Sequence, residues 1–128
     1  IGRKGHPLEG KRADASALAA YPWVVAHAGA PLRDVWEAMF DRAGVPFPPV
    51  PVESGSVMTI RQLLIDSDLL TLLSPGQVSV ELEAGWLAHI ADLPDDLDRT
   101  IALTTRTTWR PTAVQEEFLA DLESAASA

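Results

Sequence analysis

Three histidines, a run of aspartates and a few serines are the side chains through which this 128-residue sequence could do chemistry. His6, His27 and His89 would have to converge to hold a metal, and they fall in a turn, before a loop and in a strand-like run. His89 and Asp92 are three residues apart, a spacing that joins ligands only on a helix, and this region does not read as helix. Asp92, Asp95, Asp96 and Asp98 lack the ligand spacing and closing glutamate of a calcium loop, so a solvated loop is expected. Glu81, Glu83, Glu116 and Glu117 fall on exposed helix faces, with nothing to hold two carboxylates in a cleft at separated pKa values. Glu53-Ser54-Gly55-Ser56 lacks the flanks of a nucleophile elbow, and no histidine has an evident orienting acid. The sequence thus predicts no catalytic residue, no metal and no cofactor.

Two loops suit binding. Ala28-Gly29-Ala30-Pro31-Leu32 stands at a helix start, where free backbone N–H groups and the positive end of the helix dipole fit a carboxylate or a sugar hydroxyl. The same Gly29 and Pro31 would equally serve simply to make the turn. Ser54-Gly55-Ser56 also precedes a helix, offering two hydroxyls and a glycine that permits close approach. Plain capping by Ser54 or Ser56 is the alternative.

The elements that position these loops alternate between helix and strand, which predicts an α/β layout. Tyr21 to Ala26 is a short run rich in β-formers. Pro31 suits a first helical position, Leu32, Val35, Trp36, Met39 and Phe40 recur at helical spacing, and Gly44 stops the helix. Val45 to Pro51, with prolines at 46, 48, 49 and 51, is at best an extended edge. Val57, Ile60, Leu63 and Leu64 form the next helix face, ending near Asp66-Ser67-Asp68. Leu69 to Leu73 reads as a buried strand broken only by Thr71. Ser74-Pro75-Gly76-Gln77 resembles a capping box whose helix ends before Gly85. Gly85 to Ile90 and Arg99 to Arg106 read as further strands. Thr112 and Gln115 form a second box, opening a last helix with Val114, Phe118, Leu119 and Leu122 inward, before Ala125 to Ala128 fray. Trp23, Trp36, Trp86 and Trp109 are expected to pack, with Trp36 also placed to face a partner subunit. Ile1, a single apolar residue before a polar turn, reads as a strand entered partway.

Composition narrows the partners. A hydrophobic fraction of 47% beside 22% charged residues is that of a folded domain. No run of about 18 apolar residues spans a membrane, and the basic start has no apolar stretch behind it to make a signal peptide. Cysteine is absent, which removes disulfides and thiolate chemistry and fits a reducing cytoplasm. The formal charge of −8, with scattered bases, would repel a phosphate backbone, so any DNA contact belongs to another domain.

Several stretches, in order, resemble the second half of the effector domain of LysR-type bacterial transcriptional regulators. They are Arg3-x-Gly5-His6-Pro7-Leu8; Ala20-Tyr21-Pro22-Trp23-Val24 with Gly29-x-Pro31-Leu32-Arg33; Val52-Glu53-Ser54-x-Ser56 with Ile60-Arg61-x-Leu63-Leu64; Leu69-x-x-Leu72-Leu73-Ser74; and Ile101 to Arg106 with Trp109-x-Pro111-Thr112 and Phe118-Leu119. The last stretch resembles the branch regulating sugar uptake and aromatic-acid catabolism. No single motif is specific, but their order covers nearly the whole chain. The resemblance implies half of a two-lobed, periplasmic-binding-protein-like (type II) fold: a small mixed sheet flanked by helices. It implies a second lobe over residues 7–100 and a terminal strand and helix over 101–126. The implied ligand is a small-molecule effector, an aromatic acid or sugar derivative, held in a cleft between lobes. Gly29, Ala30, Pro31, Leu32, Ser54 and Ser56 would form its wall, with Ser74 and Thr104 where the family's strands cross between lobes. The implied protein is a cytoplasmic homo-oligomer that touches DNA through a domain outside this chain, and no membrane. A stand-alone module that dimerises through strand edges and the Trp36 helix is the alternative.

Overall fold

A computed structural model describes residues 1–94, 97 and 102–126 of the chain. They form two units, Ile1–Asp98 and Arg99–Ala128. The sheet of the first unit grows from its most apolar run. Strand β2 (Val24–Val25) pairs in parallel with β3 (Val52–Glu53), Val24 opposite Val52 and Val25 opposite Glu53. On its other side Trp23 forms a parallel bridge to Leu70, with Val24 N–H donating to the Leu70 carbonyl and Leu70 N–H to that of Pro22, both at 2.9 Å. Ile1 and Thr71 exchange two further bonds of 3.0 Å. The chain then runs into β1 (Gly2–Arg3), antiparallel to β4 (Leu87–Ala88). The architecture is therefore mixed α/β, parallel at β2 and β3 and antiparallel at β1 and β4.

Side chains alternate across these strands as the two-residue period demands, and the alternation builds two cores. Trp23, Val25, Leu70 and Ala88 face one cluster; Val24, Leu69 and Leu87 face the other. Helices cover both faces. The first cluster takes Leu18 from α1 (Ala15–Ala19) and Trp36, Met39 and Phe40 from α2 (Pro31–Ala43). The second takes Ile60 and Leu64 from α3 (Val57–Ile65), and Val78 from the 3₁₀ turn Pro75–Val78 that leads into α4 (Ser79–Glu83). Each such fully buried side chain contributes on the order of 1.5–3 kcal/mol relative to exposure.

Local rules set the helix bounds. Pro31 occupies the first turn of α2, and Gly44 closes it in the left-handed region at φ 64°. Ser56 caps α3, its hydroxyl oxygen accepting from Thr59 N–H. The Gln77 side chain reaches back to Ser74 N–H at 3.2 Å, as the capping-box spacing requires. Asp14 caps α1 through Ala17 N–H at 2.9 Å.

Several expectations are corrected. The apolar runs at 21–26, 69–73 and 85–90 are longer than the strands they yield. Leu70 alone of its run bridges to Trp23, because the buried Thr71 hydroxyl turns to the Val24 carbonyl (2.8 Å) and the chain then leaves toward Ser74-Pro75. The proline-rich Val45–Pro51 forms no strand; its Pro49 carbonyl accepts from Trp23 N–H at 2.8 Å, but the β2–β3 ladder begins at Val52. Trp36 does not face a partner: it is 1% exposed, edge-on to Trp23 and Phe40. Trp86 and Trp109 do not pack but are 54% and 37% exposed.

The second unit departs furthest. Residues 102–106 carry no strand and are exposed, while Arg99, Thr100 and Ile101 of the expected strand lie outside the described residues, as do Asp95, Asp96 and Asp98 of the expected acidic loop. The Thr112–Gln115 box does form, Thr112 N–H donating to Gln115 Oε1 at 2.9 Å and Gln115 N–H to Thr112 Oγ1 at 3.4 Å. It opens α5 (Ala113–Ala126). Val114, Phe118 and Leu122, expected inward, are exposed, because the described residues of this unit hold no buried side chain for them to join. None of the described helices is long and apolar enough to cross a membrane.

Candidate functional site

Parallel pairing decides where the candidate loops go. Because β2, β3 and the Leu70 segment run the same way, the chain leaves all three at one edge of the sheet. Residues 26–30 lead from β2 into α2, 54–56 from β3 into α3, and 71–74 from Leu70 into the 3₁₀ turn. The carboxyl ends of parallel strands are where open α/β sheets hold ligands.

Gly29, Ala30, Pro31 and Leu32 lie in the first loop and the turn it opens. Gly29 sits at φ 83° with open space where a Cβ would stand, so the turn itself requires glycine. Ala30 supplies no side-chain cap to α2 and Pro31 carries no N–H, which leaves the head of this helix without a side-chain acceptor. Ser54 and Ser56 lie in the second loop. Ser54 Oγ accepts from Ser56 N–H at 3.2 Å and Ser56 Oγ from Thr59 N–H at 3.4 Å, so both oxygens cap. Each hydroxyl proton remains free to be given to a ligand. The second loop is tied to the end of β2 by Ser54 N–H, which donates to the Val25 carbonyl at 2.9 Å. Ser74 is exposed at the end of the third segment. Thr104 belongs to the second unit, exposed and outside any strand.

A separate small cavity of about 30 Å³ opens beside Trp23, Leu70, Thr71 and Ile90. It has room for about one or two water molecules, and none of the candidate residues lines it. No group of three metal-ligating side chains occurs among the described residues. His89 Nε2 and Asp92 Oδ1, both exposed, meet at 3.0 Å in irregular chain, without the helix that their spacing would ordinarily need.

Two positions escaped sequence reasoning. Arg33, on the first turn of α2, bonds Glu37 Oε1 (2.7 Å), Glu53 Oε1 (2.8 Å) and the Ala26 carbonyl (3.2 Å), with its guanidinium 5.1 Å from the Trp36 ring centre. The i,i+4 pair with Glu37 was visible in the sequence; Glu53 was not. His6 is 3% exposed, accepts from Leu8 N–H at Nδ1 (3.1 Å), and so presents Nε2–H to the Asp68 carbonyl at 3.2 Å. Burial lowers its pKa, against a smaller raising effect of that carbonyl and of the Asp68 charge.

His6 therefore folds neutral, and the sign of its pH effect follows. Between its lowered folded pKa and an unfolded value near 6.5, the unfolded chain holds the extra proton. The His6 contribution is intact above about 6.5 and is lost as pH falls through that window. His6→Asn, whose Oδ1 can still accept from Leu8 N–H, is expected to flatten the decline of denaturation midpoint from pH 7.5 to 5. An unchanged slope would show that His6 titrates alike in both states.

Residues 1–127 match the family model described as the LysR substrate binding domain. Over 106 residues, 83% of this chain, the sequence is 32% identical to the HTH-type transcriptional regulator GalR of Pseudomonas putida. The matched region spans 27% of that relative's length.

Proposed function

The chain belongs to the LysR substrate-binding domain family, and from that premise we propose that it senses a small-molecule effector along the loop edge of its parallel strands. The observation that carries this reading is the parallel register of Trp23–Val25 with Val52–Glu53 and Leu70, which delivers three strand-to-helix loops to one edge. Gly29, Ala30, Pro31 and Leu32 supply the uncapped helix head, Ser54 and Ser56 their hydroxyl protons, and Ser74 the third loop. The wall offers neutral donors and a helix dipole, which suit the carboxylate of an aromatic acid or the hydroxyls of a sugar derivative.

In the longer regulator, effector held between this wall and the first lobe would favour one interlobe angle, and an oligomer would pass that bias to DNA-binding domains outside this chain. The acidic balance of the chain agrees with DNA being touched elsewhere. The dimerisation alternative loses the Trp36 ring to the core and would rest on its strand edges.

The test is a screen of aromatic acids and sugars against the chain, read by amide chemical shifts. A ligand is expected to move Gly29, Ala30, Ser54 and Ser56, and Ser54→Ala to weaken it about tenfold, the effect of losing one hydrogen bond of about 1.4 kcal/mol. Ligands that move only residues around the Thr71 cavity, or bind Ser54→Ala equally well, would overturn the assignment.

A further inference from the structure

We propose that Arg33 is a positioning residue that holds the two effector loops in one fixed register; this rests on the reading of those loops as the effector wall. The guanidinium stands where three segments meet. Ala26 is the first residue beyond β2, Glu53 is the last of β3, and Glu37 lies one turn along α2. One nitrogen, Nη1, donates to both strand ends, and Nε donates to Glu37. The plane of the fork lies by Trp36, itself fixed in the core between Trp23 and Phe40. The Arg33 side chain is 15% exposed, which is low for an arginine on a surface helix.

Ordinary surface pairs are worth little, because two long side chains must be ordered in water. Arg33 differs in that one ordered guanidinium serves three acceptors and rests on a ring already immobile. Its consequence is local. With Ser54 N–H bonded to the Val25 carbonyl, the loop after β3 is tied to β2 by backbone, and Arg33 ties the same strand end to the loop after β2 by side chain. A displacement of either loop must break the fork or carry the other loop along. Lysine could keep the charge but has no planar fork to reach Ala26 and Glu53 while pairing with Glu37. With Glu37 and Glu53 both on it, the Arg33 charge is compensated, so its role is to orient the wall and not to take the ligand.

Amide hydrogen exchange on the full chain tests this without any effector. Arg33→Met is expected to speed exchange of Ser54 and of residues 26–30 about tenfold, leaving the Leu70 amide and the interior of α3 within about twofold, as local opening does. Arg33→Lys should resemble Arg33→Met. Glu53→Gln, which touches only the half-exposed end of the network, should give a smaller change at the same amides and stay folded if Arg33→Met does not. A uniform rise across all amides would reduce Arg33 to a general stabiliser and overturn the proposal, as would unchanged exchange at Ser54. A screen that finds no ligand would count against the effector wall and leave this exchange pattern standing.

Discussion

Phe40→Ala is expected to lower the unfolding free energy by about 3–5 kcal/mol, the usual range for emptying a buried aromatic site. Phe40 has no exposed surface and sits edge-on to two indoles, 5.7 Å from the Trp23 centroid at 89° and 5.2 Å from that of Trp36 at 68°. Such edge contacts add about 0.5–1.5 kcal/mol each to the area term. The site cannot collapse cheaply. Trp23 is fixed by its backbone in the sheet and by its indole N–H on the Leu18 carbonyl (3.0 Å), and Trp36 by α2 and the Arg33 fork. A domain of this size is stable by only about 5–15 kcal/mol, so the variant should be near its unfolding threshold at 37 °C. Urea titration followed by the fluorescence of the two buried indoles measures it. A loss below about 1 kcal/mol would mean that the ring is not the centre of this face.

How far the sequence revealed this depends on whether the deciding contact is local. The helix 31–43 was legible from its start at Pro31, its periodic apolar residues and the stop at Gly44, because each acts within one or two turns. Both capping boxes were legible for the same reason, three residues separating the partners. The strand positions at Val24–Val25, Leu70 and Leu87–Ala88 were legible but their lengths were not, Glu53 of β3 was read as loop, and the strand expected over 99–106 is absent at 102–106. An apolar run says that residues are buried, while ladder pairing ends where a side chain such as the Thr71 hydroxyl takes the carbonyl, or where prolines 46 to 51 remove donors. Helix α1 was missed because an alanine-rich stretch has no apolar period, although Asp14 was there to cap it.

The candidate site divides along the same line. Loops 28–32 and 54–56 could be picked out singly, each as a glycine or serine turn before a helix. Nothing local says that they lie side by side. That fact needs the parallel pairing of residues 24–25 with 52–53, about 28 residues apart in sequence, and a parallel pair requires such a crossover. The buried His6 illustrates the same limit, since its Asp68 partner is 62 residues away. The stripe Val114, Phe118 and Leu122 was read correctly as a helix face; that it is exposed depends on which surface it meets, and periodicity cannot supply that. The family resemblance supplied the order of the segments, and the pairing of β2 with β3 then explains why loops distant in sequence share an edge.

Leu64→Ala, on the opposite face of the sheet, is expected to cost about 2–5 kcal/mol by the same transfer-plus-cavity mechanism. Leu64 is fully buried among Val24, Ile60, Leu69, Val78 and Leu87. None of these belongs to the Phe40 cluster, since consecutive strand residues send their side chains to opposite faces. Independence of the two faces is therefore a quantitative expectation. Milder truncations keep the protein folded enough to test it: Phe40→Leu and Leu64→Val, singly and together, should add to within about 0.5 kcal/mol, as sites without shared partners do. Urea midpoints and slopes for the four proteins close the cycle. A coupling above about 1 kcal/mol would mean that strain passes through the sheet, and the thin ladder at Trp23 and Leu70 would then have to be treated as one core with both helix layers.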